Sequence, residues 1–438
     1  MLFGYSVKEL SETVLLVPLV ALFFGSIFLS FKTGFVQVRM LPYMVRLLFR
    51  SLFRKKQEGE HTVLAHKALF TAMSTTIGIG NIVSPAVVIR LGGPGALLGF
   101  LIAIFFGAAT NFVEVTLAMH YRTKRKDGSY SGGPMAYLSQ EFHPKLATMY
   151  AFFAAILLMV WSGNQANTLA DILHTHGMPT GVTGLLMAGL VTFYLMGGIK
   201  KIGNLSSTLV PCMFVLYCGA ALWIIALNIG RVPAMLSLMF QSFFTPAGAS
   251  GMLLGYGWQK MLRWGLANGI YASEAGIGTA TIPHSESGGQ NAFDQGVLSM
   301  VSAYSIGFIC LLSGLVVLLS GTWEDPSVSL GINMVAVAFA QYFPSSSIIL
   351  VASVFLFAFG TILGNSFNGS QCYVYLTKKR GMGFYYLLVA AIVYIGSIFD
   401  VELLWTIKDF FVVPVALINL CAIIILACKR KDIFTFKQ

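Results

Sequence analysis

Charge is what this chain has least of. Asp, Glu, Lys and Arg make up only 10% of its 438 residues, where soluble domains carry about 25%. So few charges cannot hydrate the surface of an ordinary soluble enzyme, and they do not describe a disordered chain either. Acidic residues are the scarcer sign, 17 against 28 Lys and Arg, which leaves a net charge of +11. Cysteine is sparse and unpatterned. Cys212, Cys218, Cys310, Cys372, Cys421 and Cys428 all stand in long apolar stretches with no CxxC or Cys/His cluster. They read as small buried hydrophobes, so neither a disulfide framework nor a zinc site is indicated. Two further absences, HExxH and GxxxxGK[ST], argue against zinc proteolysis and ATP-driven pumping.

What the chain has in quantity is hydrocarbon: 56% hydrophobic residues and a mean hydropathy of +0.77. A bilayer core of ~30 Å needs about 20 apolar residues per helix. Eleven stretches meet this length or come close: 13–31, 64–90, 94–120, 148–173, 180–197, 204–229, 251–282, 295–321, 346–376, 383–399 and 403–427. The first apolar run has no small-x-small cleavage site and reads as a retained helix rather than a signal peptide. From Phe35 to Arg54, Arg39, Arg46, Arg50 and Arg54 alternate with Leu, Phe and Val, the pattern of an amphipathic helix lying in the interface. Met235 to Phe244 reads similarly, with less charge.

With the N-terminus placed outside, 22 of the Lys and Arg fall on inner segments. Only Lys8, Arg90 and Arg231 fall on outer ones, while outer turns carry Glu324, Asp325, Asp400 and Glu402. The positive-inside rule makes the basic side cytoplasmic. The +11 is thus a stripe along one membrane face, and no nucleic-acid surface is called for. The chain reads as an all-α polytopic membrane protein of the cell (inner) membrane, with its C-terminus cytoplasmic.

Two spans contain sequence that a plain membrane helix would not choose. The second holds Ser74-Thr75-Thr76-Ile77-Gly78-Ile79-Gly80-Asn81 followed by Pro85, and the seventh holds Ala272-Ser273-Glu274-Ala275-Gly276-Ile277-Gly278-Thr279. Glycines at such positions serve either tight helix packing or a local departure from helical geometry. Irregular backbone at membrane depth is tolerated only inside protein or beside a wet cavity. Position favours the second use. The interruptions lead two consecutive sets of five spans, 64–229 and 251–427, and interruptions at matching places in two halves point to a transporter binding site. A helix restarting after Gly80 offers N–H groups and the positive end of its dipole to an anion. Freed carbonyls before each interruption can hold a cation. Such a pair of ends suits a small zwitterion and a metal ion.

Several segments then become recognisable. TTIGIGNIVSPAVVIRLGGPGALLGF (75–100), GGPMAYL (132–138), NQANTLADIL (164–173), GGIKKIGNLSSTLVPCMFVLY (197–217) and GIYASEAGIGTATIPHS (269–285) resemble the alanine/glycine:cation symporters, the sodium:alanine symporter family. The matches run in family order from about residue 64 to 376. The resemblance implies a LeuT-type fold, a five-plus-five inverted repeat with one extra N-terminal helix. The implied segments are a peripheral helix over 1–31, an interfacial segment over 32–63, repeats over 64–229 and 251–428, an outer connection over 230–250 and a cytoplasmic tail over 429–438.

The resemblance also implies a function: uptake of alanine, glycine or D-alanine by symport with sodium through alternating access. No cofactor is implied beyond sodium as a co-transported ligand. The expected partners are the amino acid, sodium and the lipid bilayer, with the protein a monomer or weak oligomer. Carried over residue by residue, Thr75, Gly78, Ile79, Gly80 and Asn81 are implied around the substrate, with backbone contacts to its carboxylate at Ile79, Gly80 and Asn81. Gln165, Ser273, Gly276 and Asn365 join them. Gln165 fits the ammonium or carboxylate of the ligand, and equally a helix–helix hydrogen bond. Sodium is implied at carbonyls near Met73 and Thr76 and at the Thr361 hydroxyl, oxygen ligands that suit a hard cation.

This chain departs from the family at several of these points. The usual Asn of N-E-A-G is Ser273, the Arg shortly before it is Asn268, and an Asp usual in the eighth span is Ile306. A family Trp facing the pocket is Asn365, and the hydroxyl before Thr361 is Gly360. The change to Asn365 enlarges and polarises the pocket, and the change to Gly360 leaves the ion shell one hydroxyl poorer. They keep open a proton-coupled or uncoupled carrier of another small amino acid.

Glu114 and Glu274 are costly at membrane depth and functional by default. Glu274 also suits a structural role, accepting hydrogen bonds at the break, and Glu114 suits a pairing with a neighbouring helix. Lys260 and Arg263 fit either snorkelling or a pairing with Glu114 or Asp409. His174 and His176 beside Asp171 read as a solvated outer turn before a metal site. An intramembrane enzyme would need more than the Gly248-Ala249-Ser250-Gly251 motif, since no His lies in a later apolar span to activate the serine. A channel would need a repeated selectivity element.

Overall fold

A computed structural model describes residues 7–53, 64–126, 128–244, 262–288, 291–343 and 346–434. The backbone is helical almost throughout, as hydrocarbon requires, because a helix satisfies its own amide groups within one segment. Unbroken helices run Val7–Lys32, Pro94–His120, Pro144–His174, Thr180–Leu195, Gly198–Leu227, Ala292–Ser320, Ser346–Thr377, Met382–Ile398 and Val401–Lys429. Ala65–Thr76 and Gly80–Gly92 together make one span bent by 40°. Six helices among the described residues are long and apolar enough to cross a bilayer outright, and Val17–Lys32, Thr180–Leu195 and Met382–Ile398 are shorter apolar ones. With the bent pair and the interrupted segment 262–285, these account for the eleven segments that the sequence predicts. Prolines mark several starts: Pro94 and Pro144 occupy first helical positions, where a missing N–H costs nothing and φ is already suitable.

After the first helix the chain runs through two sets of five, each led by an interrupted helix. A detail absent from the sequence reading supports their correspondence. Short helices Pro134–Glu141 and Ile332–Ala340 both fall between the second and third long members of their set. Neither is long enough to register as a span. Across the sets, Pro94–His120 packs along Ala292–Ser320, and Pro144–His174 along Ser346–Thr377, second member on second and third on third. The Val7–Lys32 helix lies outside this core, against Val401–Lys429 and Pro94–His120.

Basic side chains of several segments bond across the fold. Lys67 Nζ donates to Asn204 Oδ1 at 2.7 Å, Arg122 reaches Ser287 O at 2.7 Å, Arg125 reaches Gln371 Oε1 at 3.2 Å and Arg430 reaches Tyr121 Oη at 3.0 Å. At the opposite ends of the helices, Arg90 donates to Trp323 O at 2.7 Å. Residues assigned to one side therefore meet others assigned to that side. The amphipathic segment resolves into Val36–Arg39 and Leu41–Phe53. On the latter helix Leu41, Val45, Phe49, Leu52 and Phe53 are exposed while Met44 is buried, and Tyr43 Oη ties it to Asp294 at 2.9 Å. A small hairpin, Thr123–Lys124 paired with Tyr130–Ser131, begins the basic loop.

The cysteine reading needs one correction. Cys218, Cys310 and Cys372 are buried, but Cys212, Cys421 and Cys428 are exposed on the outside of the bundle. Where the surroundings are themselves apolar, a small hydrophobe has no reason to turn inward. The Gly248–Gly251 motif and Lys260 lie outside the described residues.

Candidate functional site

The first interruption is built by sequence that exhausts its own helix. Ser74, Thr75 and Thr76 are buried, and their hydroxyls bond back to the preceding turn: Ser74 to Thr71 O at 2.8 Å, Thr75 to Ala72 O at 2.6 Å, Thr76 to Ala72 O at 3.3 Å. Back-bonding of this kind weakens and bends a helix. The helix stops at Thr76, with Ile77 at φ −96°, ψ 88°, and Asn81 reaches across the break to donate to Thr76 O at 2.8 Å. Residues 71–79 are buried, whereas Gly80 is exposed. A Cβ placed there would meet nothing nearer than Ser84 Oγ at 4.0 Å. The break opens at Gly80.

Three predicted residues converge just inside that opening. A Cβ on Gly78 would lie 2.8 Å from Thr361 Oγ1 and 3.1 Å from Gln165 Oε1, so only hydrogen fits. Gln165 is half-buried and accepts the Ile79 N–H at 3.1 Å. Thr361 donates to Ile77 O at 3.2 Å. Both predicted uses of Gln165, as a helix-to-helix bond and as a ligand beside the break, meet in this one contact. Thr75 turns its methyl toward Gly364, where a Cβ would stand 2.5 Å away. Asn365, the next residue, is buried.

The oxygen set differs in detail from the one implied for sodium. Met73 O still accepts the Ile77 N–H at 2.8 Å, and Thr76 O is occupied by Asn81. The carbonyl addressed by Thr361 is that of Ile77, the first residue beyond the helix, which the motif comparison does not single out. Thr76 Oγ1 shares a hydrogen bond of 2.7 Å with Ser302 Oγ on the eighth span. Ser74 Oγ accepts from Ser206 Oγ at 3.4 Å, and Ser74 faces Gly360, where an added Cβ would stand 3.8 Å from its own. Thus Ser74, Ser206 and Ser302 place hydroxyls around the end of the broken helix, beside Gly360, which has none. Single serines in apolar spans carry too weak a sequence signal to be found without this geometry.

The second interruption has another character. Glu274, Gly276 and Gly278 have φ of 51°, 87° and 88°, and glycine supplies the left-handed turns at little cost. Three side chains from other helices take the exposed carbonyls. Asn419 donates to Gly276 O at 2.9 Å, Tyr150 to Ile277 O at 2.7 Å and Asn368 to Thr279 O at 3.0 Å. Asn419 also donates to Glu114 Oε1 at 2.5 Å and accepts the Tyr137 hydroxyl. Thr279 donates to Glu274 Oε2 at 2.5 Å across the turn. Buried Glu114 and half-buried Glu274 therefore serve the break or its neighbours.

Ser273 and Gly276, predicted with the substrate residues, face elsewhere. Ser273 Oγ donates to Ile270 O at 2.8 Å and packs on Gly107, and a Cβ on Gly276 would strike Leu22 of the first helix at 2.1 Å. Glycine is needed there for the turn and for that contact. Asn81, predicted beside the ligand carboxylate, spends its side chain on Thr76. Asp409 pairs with Lys408 at 2.9 Å. On the turn after Pro144–His174, His176 Nδ1 lies 2.9 Å from Ile172 O, and no group of three or more metal-ligating side chains occurs among the described residues.

Comparison with known proteins agrees with this architecture. A family model described as the sodium:alanine symporter family matches residues 4–435. A Haemophilus influenzae protein described as an uncharacterized transporter is 34% identical, with 95% of this chain and 93% of that one covered. The sodium/alanine symporter AgcS of Methanococcus maripaludis is 31% identical over 93% of this chain and 91% of its own. The probable sodium/glutamine symporter GlnT of Bacillus subtilis is 30% identical over 93% and 84% respectively. Among solved structures, a substrate-bound, outward-open Na+-coupled sialic acid symporter matches with a TM-score of 0.52 at 13% identity, covering 98% of this chain and 86% of that one. At that identity the likeness concerns the fold alone.

Proposed function

We propose a transport cycle for a chain that belongs to the sodium:alanine symporter family and is therefore a multi-pass membrane transporter rather than an enzyme. Its substrate in this reading is a small neutral amino acid, alanine, glycine or D-alanine, carried inward with sodium through the cell (inner) membrane. The N-terminus is outside and the C-terminus cytoplasmic. The repeats are 64–229 and 251–428, joined by 230–250, with 1–31 peripheral, 32–63 along the interface and 429–438 as the tail. Alternating access comes from rocking of one bundle against the other about the two breaks.

The observation that carries this reading is the convergence of Gly78, Gln165 and Thr361 beside the opening at Gly80. The substrate carboxylate sits against the N–H groups of Ile79, Gly80 and Asn81, where a helix begins and its dipole favours an anion; the Asn81 N–H turns to it from Gly78 O. The Ile79 N–H passes from Gln165 to the ligand, and the freed Gln165 carbonyl receives the ammonium. Thr75 lines the wall toward span nine. Ser273 and Gly276 act indirectly, by shaping the second break. Sodium takes oxygen ligands from Thr361 and from the end of the broken helix, with Ile77 O added to Met73 and Thr76. One ligand thus biases the backbone that the other needs.

The test is uptake of radiolabelled glycine, L-alanine and D-alanine into proteoliposomes under imposed sodium or proton gradients. Accumulation under a sodium gradient is the expected result. Accumulation under a proton gradient alone would replace the coupling ion, and no accumulation under either would refute amino-acid symport.

A further inference from the structure

The ninth span carries a polar stripe that joins the two breaks. Thr361, Asn365 and Asn368 stand at i, i+4 and i+7, one face of a helix. The outer two are pinned to opposite breaks, Thr361 to Ile77 O at 3.2 Å and Asn368 to Thr279 O at 3.0 Å. Asn365 lies between them, about 6 Å along the axis from Thr361 and about 4.5 Å from Asn368. It is 1% exposed, and its Oδ1 is buried without a hydrogen-bond partner. Buried carboxamides normally find partners, and its neighbours on the stripe each have one. Asn368 Oδ1 is also buried without a partner, but its amide nitrogen is held by Thr279 O; of the three side chains, Asn365 is the one with no hydrogen bond among the described residues.

We propose that Asn365 reads the side chain of the transported amino acid, and that the preferred substrate is a small hydroxyl amino acid of the serine type. The inference rests on the amino-acid transport reading above and, within it, places serine ahead of alanine and glycine. With the substrate carboxylate at the restart after Gly80 and its ammonium near Gln165, the side chain points along the ninth span, one helical turn from Thr361. A carboxamide offers one acceptor and two donors. A hydroxyl both donates and accepts, so it satisfies whichever end of the amide faces it. A methyl group leaves the amide unpaired, and discrimination is greatest when a site built to hydrogen-bond its ligand meets an analogue without that group. The helices pack closely beside Asn365. Gly364, beside Asn365, packs so closely on Thr75 that an added Cβ would stand 3.0 Å from its backbone nitrogen.

The test uses the full chain reconstituted in vesicles of phosphatidylethanolamine and phosphatidylglycerol, preloaded with unlabelled L-alanine. Counterflow of labelled L-alanine is competed with L-serine, L-alanine and L-asparagine. In the native protein L-serine should compete at about tenfold lower concentration than L-alanine, the worth of one good hydrogen bond. In Asn365→Ala the serine-to-alanine ratio should fall to near one. The ratio is the readout, so a general loss of rate does not imitate the effect. Asn365→Ser keeps a polar atom in a smaller volume and should hold an intermediate ratio, which carries the test if Asn365→Ala fails to fold. A ratio of one in the native protein, a preference for L-asparagine over L-serine, or a serine preference that survives in Asn365→Ala would each overturn the assignment. These outcomes leave alanine exchange intact. No exchange of any amino acid by the native protein would instead remove the transport reading, and this inference with it.

Discussion

The two interruptions look alike in sequence and differ in what surrounds them. Both combine G-I-G with hydroxyls, yet the first ends at an exposed Gly80 and is met by Gln165 and Thr361, while the second is laced shut. Asn419, Tyr150 and Asn368 each take one of its carbonyls, and Glu114 and Tyr137 hold Asn419 in place. Backbone groups that lose helical partners at membrane depth must be satisfied somehow. At the second break the protein does this itself, which makes a fixed turn. At the first, Asn81, Thr361 and Gln165 also take backbone groups, but beside an exposed Gly80, and in the proposed cycle the ligand displaces Gln165 there. In the proposed cycle the repeated motif serves binding in one half and support in the other.

That contrast predicts that substitutions at the second break act on stability and those at the first on kinetics. The largest effect belongs to Asn419→Leu. It removes hydrogen bonds to Gly276 O, Tyr137 and the buried Glu114 carboxyl, each worth about 0.5–1.5 kcal/mol net. Thermal unfolding in detergent should show a lowered midpoint, and the sodium concentration for half-maximal uptake by surviving protein should stay within about twofold, under one hydrogen bond's worth. Unchanged melting with altered sodium activation would reverse the roles assigned to the two breaks. Next comes Thr361→Ala at the first break. Losing one oxygen ligand should raise the half-saturating sodium concentration about tenfold, roughly 1.4 kcal/mol, with a smaller change in apparent amino-acid affinity at saturating sodium. Equal changes in both, or none in either, would remove Thr361 from the ion site.

Much of the frame was legible because it follows from strong, additive signals. Long apolar runs, the one-sided Lys and Arg, and the Gly-rich interruptions each constrain the chain through the bilayer itself. The short helices Pro134–Glu141 and Ile332–Ala340 were not legible, since eight or nine residues cannot announce a membrane segment. At the site, Gly78, Gln165 and Thr361 were identified by residue type at matched motif positions and are brought together by the fold. Ser206 and Ser302 were missed because one hydroxyl in an apolar span has no pattern. Gly276 shows the converse limit. Its motif position mirrors the first break, but its surroundings, Leu22 and Asn419, come from the first and last spans, and no local pattern encodes which distant helix arrives.

The smallest effect tests the most ambiguous residue. Glu274 adopts φ of 51°, a left-handed position that costs a non-glycine residue about 1–3 kcal/mol, and its carboxylate accepts the Thr279 hydroxyl across the turn at 2.5 Å. If its role is to close that turn, a neutral acceptor of the same shape should suffice. Glu274→Gln keeps the side-chain oxygen that Thr279 needs and removes only the charge. Uptake should then stay within about threefold of the native rate, an effect of less than ~0.7 kcal/mol, with little change in melting. A carboxylate that holds a cation or a travelling proton would behave otherwise, because the amide can neither balance a positive charge nor release a proton. A fall of two orders of magnitude with unchanged melting would move Glu274 from support to transport, and with it the second break would join the first as a place where ligands bind.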